Sequence, residues 1–289
     1  MKQSLSYKIF GFLNIVFLIV VALLMLIPYV NMAAKSFSSS NAINLGKVVL
    51  YPVDITLKNY YIVFHDARIV NSFLVTIFIT VIGTLVNMIF TVLLVYPLSR
   101  KEYLFRKAVL LGILFTFVFQ APLIPVFLWV KTLGMYNSLW ALIIPNAIAA
   151  YYVFILKSFF DEFPQEIIES ARIDGSSEIR TLVQIVLPLS KAALATIALF
   201  YAVGNWNTYY QALVFLRDNN LMPLQVRLYN LVMEGQMDMQ SGIIDDAANT
   251  SPEGIKAATV FAATIPIIIV YPFLQKYFVS GIRLGAIKG

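Results

Sequence analysis

The chain has 289 residues, 60% hydrophobic and 14% aromatic, with only 12% charged and a mean hydropathy of +0.81. Soluble domains carry about twice that share of charge, which excludes a single water-soluble globule. With no cysteine, disulfides, thiolate metal sites and a cysteine nucleophile are excluded as well.

Six windows contain no Asp, Glu, Lys or Arg: 9–34, 69–99, 108–130, 132–156, 192–216 and 257–275. They cover about half the chain, and all 21 basic and 15 acidic residues lie outside them. A bilayer core about 30 Å thick needs roughly 20 apolar residues as helix, because lipid offers the backbone no hydrogen-bond partners. The spacing therefore predicts six transmembrane helices. A β-barrel would alternate with period two, and the run Ile15-Val16-Phe17-Leu18-Ile19-Val20-Val21 does not.

The first window follows Lys2 and Lys8. It is too long for a secretory h-region and no clear small-x-small cleavage site follows, so it reads as a retained span. The first outer loop, Lys35 to Arg68, contains Ser36-Phe37-Ser38-Ser39-Ser40-Asn41, Tyr51-Pro52 and the single histidine, His65, which reads as a solvated loop residue. Between the second and third windows stands the basic cluster Arg100-Lys101 and Arg106-Lys107. With an even number of spans both termini share one side. Lys and Arg are in excess on that side, which places both termini in the cytoplasm. Basic inner loops facing anionic lipid account for the net charge of +6, so no nucleic-acid partner is expected.

The third window carries Gln120, Pro122 and Pro125, and the fourth carries Pro145 and Asn146. These prolines, with Pro28 and Pro97, read as kinks. The fifth holds Asn205-Trp206-Asn207-Thr208-Tyr209-Tyr210-Gln211, an unusually polar and aromatic run for a charge-free span. Amide hydrogen bonds and aromatic faces suit a polar ligand. Asn205, Asn207, Tyr210 and Gln211 are thus candidates for a polar pathway, with Gln120 and Asn146 behind them. Anchoring at the headgroup region or helix–helix hydrogen bonding is the other reading. The last outer loop, Arg217 to Lys256, includes Asp245-Asp246 and Ser251-Pro252. Pro266 and Pro272 interrupt the sixth window, and Tyr277, Phe278 and Val279 extend it past Lys276.

The inner segment from Lys157 to Lys191 is the most informative. Pro164 suits a helix start, with Gln165 and Glu166 in the first turn. Ile167, Ile168 and Ala171 follow at helical spacing. Asp174-Gly175 ends that helix, glycine accepting the left-handed conformation. Ser176 or Ser177 can cap a second helix, Glu178 to Val186, which stops before Pro188. The product is an amphipathic cytoplasmic elbow. Lying on lipid is one reading, but Glu166, Glu169, Asp174 and Glu178 would not be drawn to an anionic leaflet, and a protein partner fits better.

The spans lack the buried ionisable groups that mark proton or ion coupling. The chain has no G-x-x-x-x-G-K-[ST], so ATP binding by a P-loop is excluded and no cofactor is expected in this chain. An integral membrane enzyme would need clustered His, Asp, Glu or Lys at a membrane face, and the charge-free windows supply none.

Glu169-Ser170-Ala171-Arg172-Ile173-Asp174-Gly175, nine residues, then Ile185-Val186-Leu187-Pro188 resembles the E-A-A–x3–G–x9–I–x–L–P loop of permease subunits in binding-protein-dependent ABC importers. Ser170 stands where that pattern has alanine. Asn71-Ser72-Phe73, Leu133-Gly134-Met135-Tyr136-Asn137-Ser138, Trp206-Asn207 and the ending Gly285-Ala286-Ile287-Lys288-Gly289 resemble the carbohydrate-uptake group typified by the second maltose-transporter permease. Pro223-Leu224-Gln225-Val226 resembles a branch handling complex oligosaccharides.

The resemblance implies an all-α membrane protein of the type I ABC importer permease fold, with six spans and a cytoplasmic coupling helix. Residues 1–68 would form an N-terminal span and outer loop, and 69–289 the importer domain with its coupling loop at 157–191. It implies import of an oligosaccharide by alternating access across the bacterial cytoplasmic membrane; glycerol phosphate or another small polar solute is the alternative within transport. The partners implied are a second homologous permease, two cytoplasmic ATPases and an extracytoplasmic substrate-binding protein. Glu169, Ala171, Asp174 and Gly175 would form the coupling site. The tail Gly285 to Gly289 is a second ATPase contact or a frayed end.

Overall fold

The computed structural model describes residues 5–233 and 251–286. Among them every regular element is helical. The apolar windows set the long helices: α1 (Leu5–Ser36), α4 (Ala67–Leu98) and α15 (Pro252–Ala286), with α2 (Ser40–Asn44) and α3 (Lys58–His65) in the first predicted outer loop. Among the described residues three stretches are long and apolar enough to cross a membrane alone: Tyr7–Ser36, Ala67–Leu98 and Pro252–Ile269.

Two more windows are met by bent pairs. The third is α5 (Arg106–Val118) followed by α6 (Leu123–Thr132), bent by 117°. Its break carries Pro122, which lacks an N–H and pushes the residue before it out of the helical region. Preceding the fifth window, α10 (Glu178–Thr181) runs through a π turn (Leu182–Val186) into α11 (Leu187–Leu189), and α12 (Lys191–Trp206) leaves it at 85°. Pro188 therefore sits inside the last turn instead of ending the helix before it. Its missing N–H removes one rung, and Leu187 N–H reaches back to Leu182 O, the wider π spacing. After α12 the chain breaks at Asn207–Tyr209 and continues in α13 (Tyr210–Phe215), a 3-10 turn (Asn219–Leu221) and α14 (Leu224–Met233).

The fourth window is not one continuous helix. It forms α7 (Trp140–Ile143), a break through Pro145, then α8 (Ala150–Asp161). The freed backbone groups find side chains: Asn87 Nδ2 donates to Asn146 O at 2.7 Å, and Ala149 N–H donates to the Tyr201 hydroxyl at 3.0 Å. That hydroxyl also shares a 2.7 Å hydrogen bond with Thr91. Irregular backbone is tolerated in an apolar layer when protein satisfies it in this way.

The chain divides into two compact units. One comprises Met1–Val70 and Leu228–Ile265. Within it, buried Asn59 donates to Ser36 O and Ser38 O at 3.1 Å each, and Lys35 pairs with Glu253 at 2.7 Å. A Cβ on Gly254 would stand 2.8 Å from Asn59 Oδ1 and 2.9 Å from Ile43 Cδ1, so only glycine permits that approach. The most apolar stretch of α1 buries none of its residues against this chain.

The other unit comprises Asn71–Arg227 and Pro266–Gly289. One core gathers Val95, Leu156, Leu182, Val186 and Ile197; a second gathers Ile79, Val130, Leu142 and Phe215. Two residues of the Leu133-to-Ser138 motif adopt left-handed backbone: Gly134 at φ +69° and Asn137 at φ +59°. Asn137 Oδ1 accepts the N–H groups of Arg217 and Asp218, each at 2.8 Å, and its own N–H donates to Phe215 O. The motif is a clamp on the segment that follows α13.

Candidate functional site

The elbow begins at Pro164, whose extended backbone leads into α9 (Gln165–Ile173). Ile168 and Ala171 form its buried face, while Glu166, Glu169 and Arg172 are exposed. Gly175 has φ +75°, and the turn closes with Gly175 N–H to Arg172 O at 3.0 Å and Ser176 N–H to Ala171 O at 2.9 Å. Ser177 caps α10 by accepting Arg180 N–H at 3.3 Å. The helix start, the glycine break and the serine cap thus fall where the sequence predicts them.

Of the four predicted coupling residues, Glu169, Asp174 and Gly175 are exposed and Ala171 faces inward. On either side of the bend two large apolar side chains stand in the open, Ile173 at 86% and Ile179 at 76% exposure. Beside acidic Glu169 and Asp174, these make the bend a mixed apolar and acidic surface suited to a protein partner.

A side-chain network ties this elbow to the end of α4. Glu178 Oε1 accepts Arg172 Nε at 3.1 Å and Nη2 at 2.9 Å across the glycine bend. Its other oxygen, Oε2, accepts the Tyr96 hydroxyl at 2.7 Å. Arg172 Nη1 lies 3.6 Å from Glu102 Oε1. Glu178, by hydrogen bond first and charge second, raises the Arg172 guanidinium above its ordinary pKa. Arg100, 7% exposed, lays its guanidinium 4.4 Å from the centroid of the Tyr96 ring. These residues line a cleft of about 440 Å³ together with Leu93, Pro97 and Leu182. Sequence reasoning saw Arg100 only as part of a basic cluster and missed Tyr96 altogether. The available signal was a tyrosine and an arginine four apart at the end of an apolar window, one helical turn on the same face.

The predicted pathway residues separate into two groups. Asn205 is turned into the helix packing: its Nδ2 donates to Asn87 Oδ1 at 2.9 Å and to Thr84 Oγ1 at 3.3 Å. Gly83 makes room for it, because a Cβ there would lie 2.9 Å from Asn205 Nδ2. Asn207 and Tyr210 are exposed and Gln211 is half-buried. Asn207 Oδ1 accepts Gln225 Nε2 at 3.2 Å, which joins the polar run to the Pro223-to-Val226 stretch singled out separately in the sequence. Gln120 is exposed, and Asn146 Nδ2 donates to Leu142 O at 3.1 Å within its own broken helix. Asp245-Asp246 and the tail residues 287–289 lie outside the described residues.

The chain belongs to the family described as binding-protein-dependent transport system inner membrane component, which matches residues 5–284. It is a multi-pass membrane transport subunit, not an enzyme. Among its relatives, the polygalacturonan/rhamnogalacturonan transport system permease protein YtcP of Bacillus subtilis (strain 168) is 40% identical over 284 residues, 98% of this chain and 99% of that one. Protein LplC of the same strain is 38% identical over 289 residues, 100% and 98% of the two chains. Among solved structures, a chain of a bacterial ABC transporter involved in the import of the acidic polysaccharide alginate matches with a TM-score of 0.91 at 35% identity, covering 96% of this chain and 99% of that one. The all-α type I importer permease fold and the resemblance to carbohydrate-uptake permeases read from the sequence both hold.

Proposed function

We propose that this chain is one of two homologous permeases in an ATP-driven importer that moves an acidic, uronate-rich oligosaccharide into a bacterial cell by alternating access. The observation that carries the substrate class is likeness along the whole chain, at 35% identity or better, to two proteins named for polygalacturonan/rhamnogalacturonan transport and alginate import. Two cytoplasmic ATPases supply the energy and a binding protein delivers the sugar to the outer loops.

Both termini are cytoplasmic, a reading supported by Arg100, Lys101, Arg106 and Lys107 between α4 and α5. Residues 1–68 act as a peripheral span and loop, and 69–289 as the transport domain. The elbow at 157–191 docks on one ATPase at a coupling site formed by Glu169, Ala171, Asp174 and Gly175, of which Glu169, Asp174 and Gly175 are exposed to the partner and Ala171 seats the helix from its buried face. Exposed Ile173 and Ile179 support this, since such side chains on a bend gain most from being covered. The tail after Gly285 is a second ATPase contact. Asn205, Asn207, Tyr210 and Gln211 line the pathway, Asn205 holding its wall through Asn87. Exposed Tyr210 offers a ring face for sugar C–H groups and Asn207 an amide for hydroxyls.

Co-purification through a tag on this chain, reconstitution in lipid and ATPase measurement test the reading. Hydrolysis rises when binding protein loaded with oligogalacturonate or oligoalginate is added. A complex without ATPase subunits, or hydrolysis indifferent to every loaded binding protein, overturns it.

A further inference from the structure

Glu178 occupies an unusual position. It is the first residue of α10, immediately past the glycine bend, yet its two oxygens face different elements. Oε1 holds Arg172 in the last turn of α9, and Oε2 holds Tyr96 in the last turn of α4. The charge-assisted pair across the bend fixes the angle between the two halves of the elbow, since arginine meets a single carboxylate oxygen through two N–H groups. The Tyr96 bond then attaches that fixed angle to a span. Arg100 packs over the face of the same ring, and the Arg172–Glu102 pair adds a second tie just beyond the end of α4. The elbow is thus held to the α4 end from both of its halves.

We propose that Tyr96, Glu178 and Arg172 form a rigid joint through which the elbow and the cytoplasmic end of α4 move as one body, making them positioning residues for transport. A lever transmits a displacement only if its pivot does not yield. Without the joint, Gly175 leaves a bend that can open under load, and motion imposed on the elbow would dissipate there instead of reaching the span. The effect of Tyr96 runs through Glu178. The inference rests on the importer reading above, and its test is built to fail separately.

The absence of cysteine makes the test clean. Spin labels at Lys101→Cys and Ser170→Cys, both exposed positions, report the distance from the α4 end to the elbow in the reconstituted complex. In the otherwise native chain one narrow distance persists with and without ATP. In Tyr96→Phe, which keeps the ring under Arg100, and in Glu178→Ala, the distribution broadens or shifts when ATP is added. A native distance that itself shifts with ATP, or variants as narrow as the native chain, overturns the joint. The measurement needs only ATP and no sugar, so a wrong sugar assignment leaves it unaffected.

Hydrolysis supplies the functional arm. Tyr96→Phe lowers binding-protein-stimulated hydrolysis about fivefold, the low end of measured site-to-site couplings, with basal hydrolysis unchanged. Added to Glu178→Ala it lowers the rate no further, because Glu178→Ala has already removed the Tyr96 bond together with the Arg172 pair. Effects that multiply, or a loss of basal and stimulated rates in equal proportion, contradict the joint.

Discussion

Replacing Gly175 separates conformational from steric control of the elbow. Its backbone sits at φ +75°, where an L-residue pays about 1–2 kcal/mol. A built Cβ meets nothing within 4 Å, so within this chain the cost is purely conformational. A penalty of that size lowers the population of the native bend by roughly 5- to 30-fold relative to its alternatives. Asparagine tolerates the left-handed region better than other residues with a side chain, and β-branched residues tolerate it least. The predicted order of stimulated ATP hydrolysis is therefore Gly, then Gly175→Asn, then Gly175→Ala, then Gly175→Val. The assay is stimulated hydrolysis in the reconstituted complex, with assembly checked by size-exclusion chromatography. If Gly175→Ala keeps native coupling while the larger Gly175→Asn loses it, size against a partner decides and the conformational reasoning is refuted.

Other substitutions probe the span packing. Gly83→Ala forces a Cβ to 2.9 Å from Asn205 Nδ2 and displaces the bond to Asn87, lowering the thermal midpoint in detergent; the same change in an Asn205→Ala background has far less effect. Tyr201→Phe strands the half-buried Ala149 N–H and the buried Thr91 hydroxyl, a loss of about 1–3 kcal/mol for the buried hydroxyl and less for the N–H, measured by chemical unfolding. Asn207→Ala and Tyr210→Ala leave stability unchanged, both side chains being exposed, while uptake of labelled oligogalacturonate falls; native uptake in both removes them from the pathway.

Charge-free windows were legible because lipid imposes one rule on every residue of a span, and α1, α4 and α15 follow it. The elbow was legible for a different reason: Pro164, Gly175 and Ser177 act on their own few residues, so local chemistry fixes the bend. The break in the fourth window was not. Pro145 signals a kink, but what makes a full interruption tolerable is Asn87 and Tyr201, which lie 59 and 52 residues from the groups they satisfy. The joint was hidden for the same reason, since Tyr96 and Glu178 are 82 residues apart. Asn205 shows the ambiguity of composition: a polar residue in a span can serve a ligand or a neighbouring helix, and only the position of α4 reveals its bonds to Thr84 and Asn87. Exposure of Ile173 and Ile179 was equally unreadable, because isoleucine spacing in an amphipathic helix ordinarily signals a buried face.

Transport itself is the most direct measurement. Proteoliposomes carrying the complete complex, ATP inside and binding protein outside, are offered labelled trigalacturonate and labelled maltotriose. ATP-dependent accumulation of trigalacturonate, with maltotriose left outside, is the predicted result. Equal accumulation of both contradicts the acidic substrate class, and accumulation of neither, in vesicles that do hydrolyse ATP, contradicts oligosaccharide import altogether.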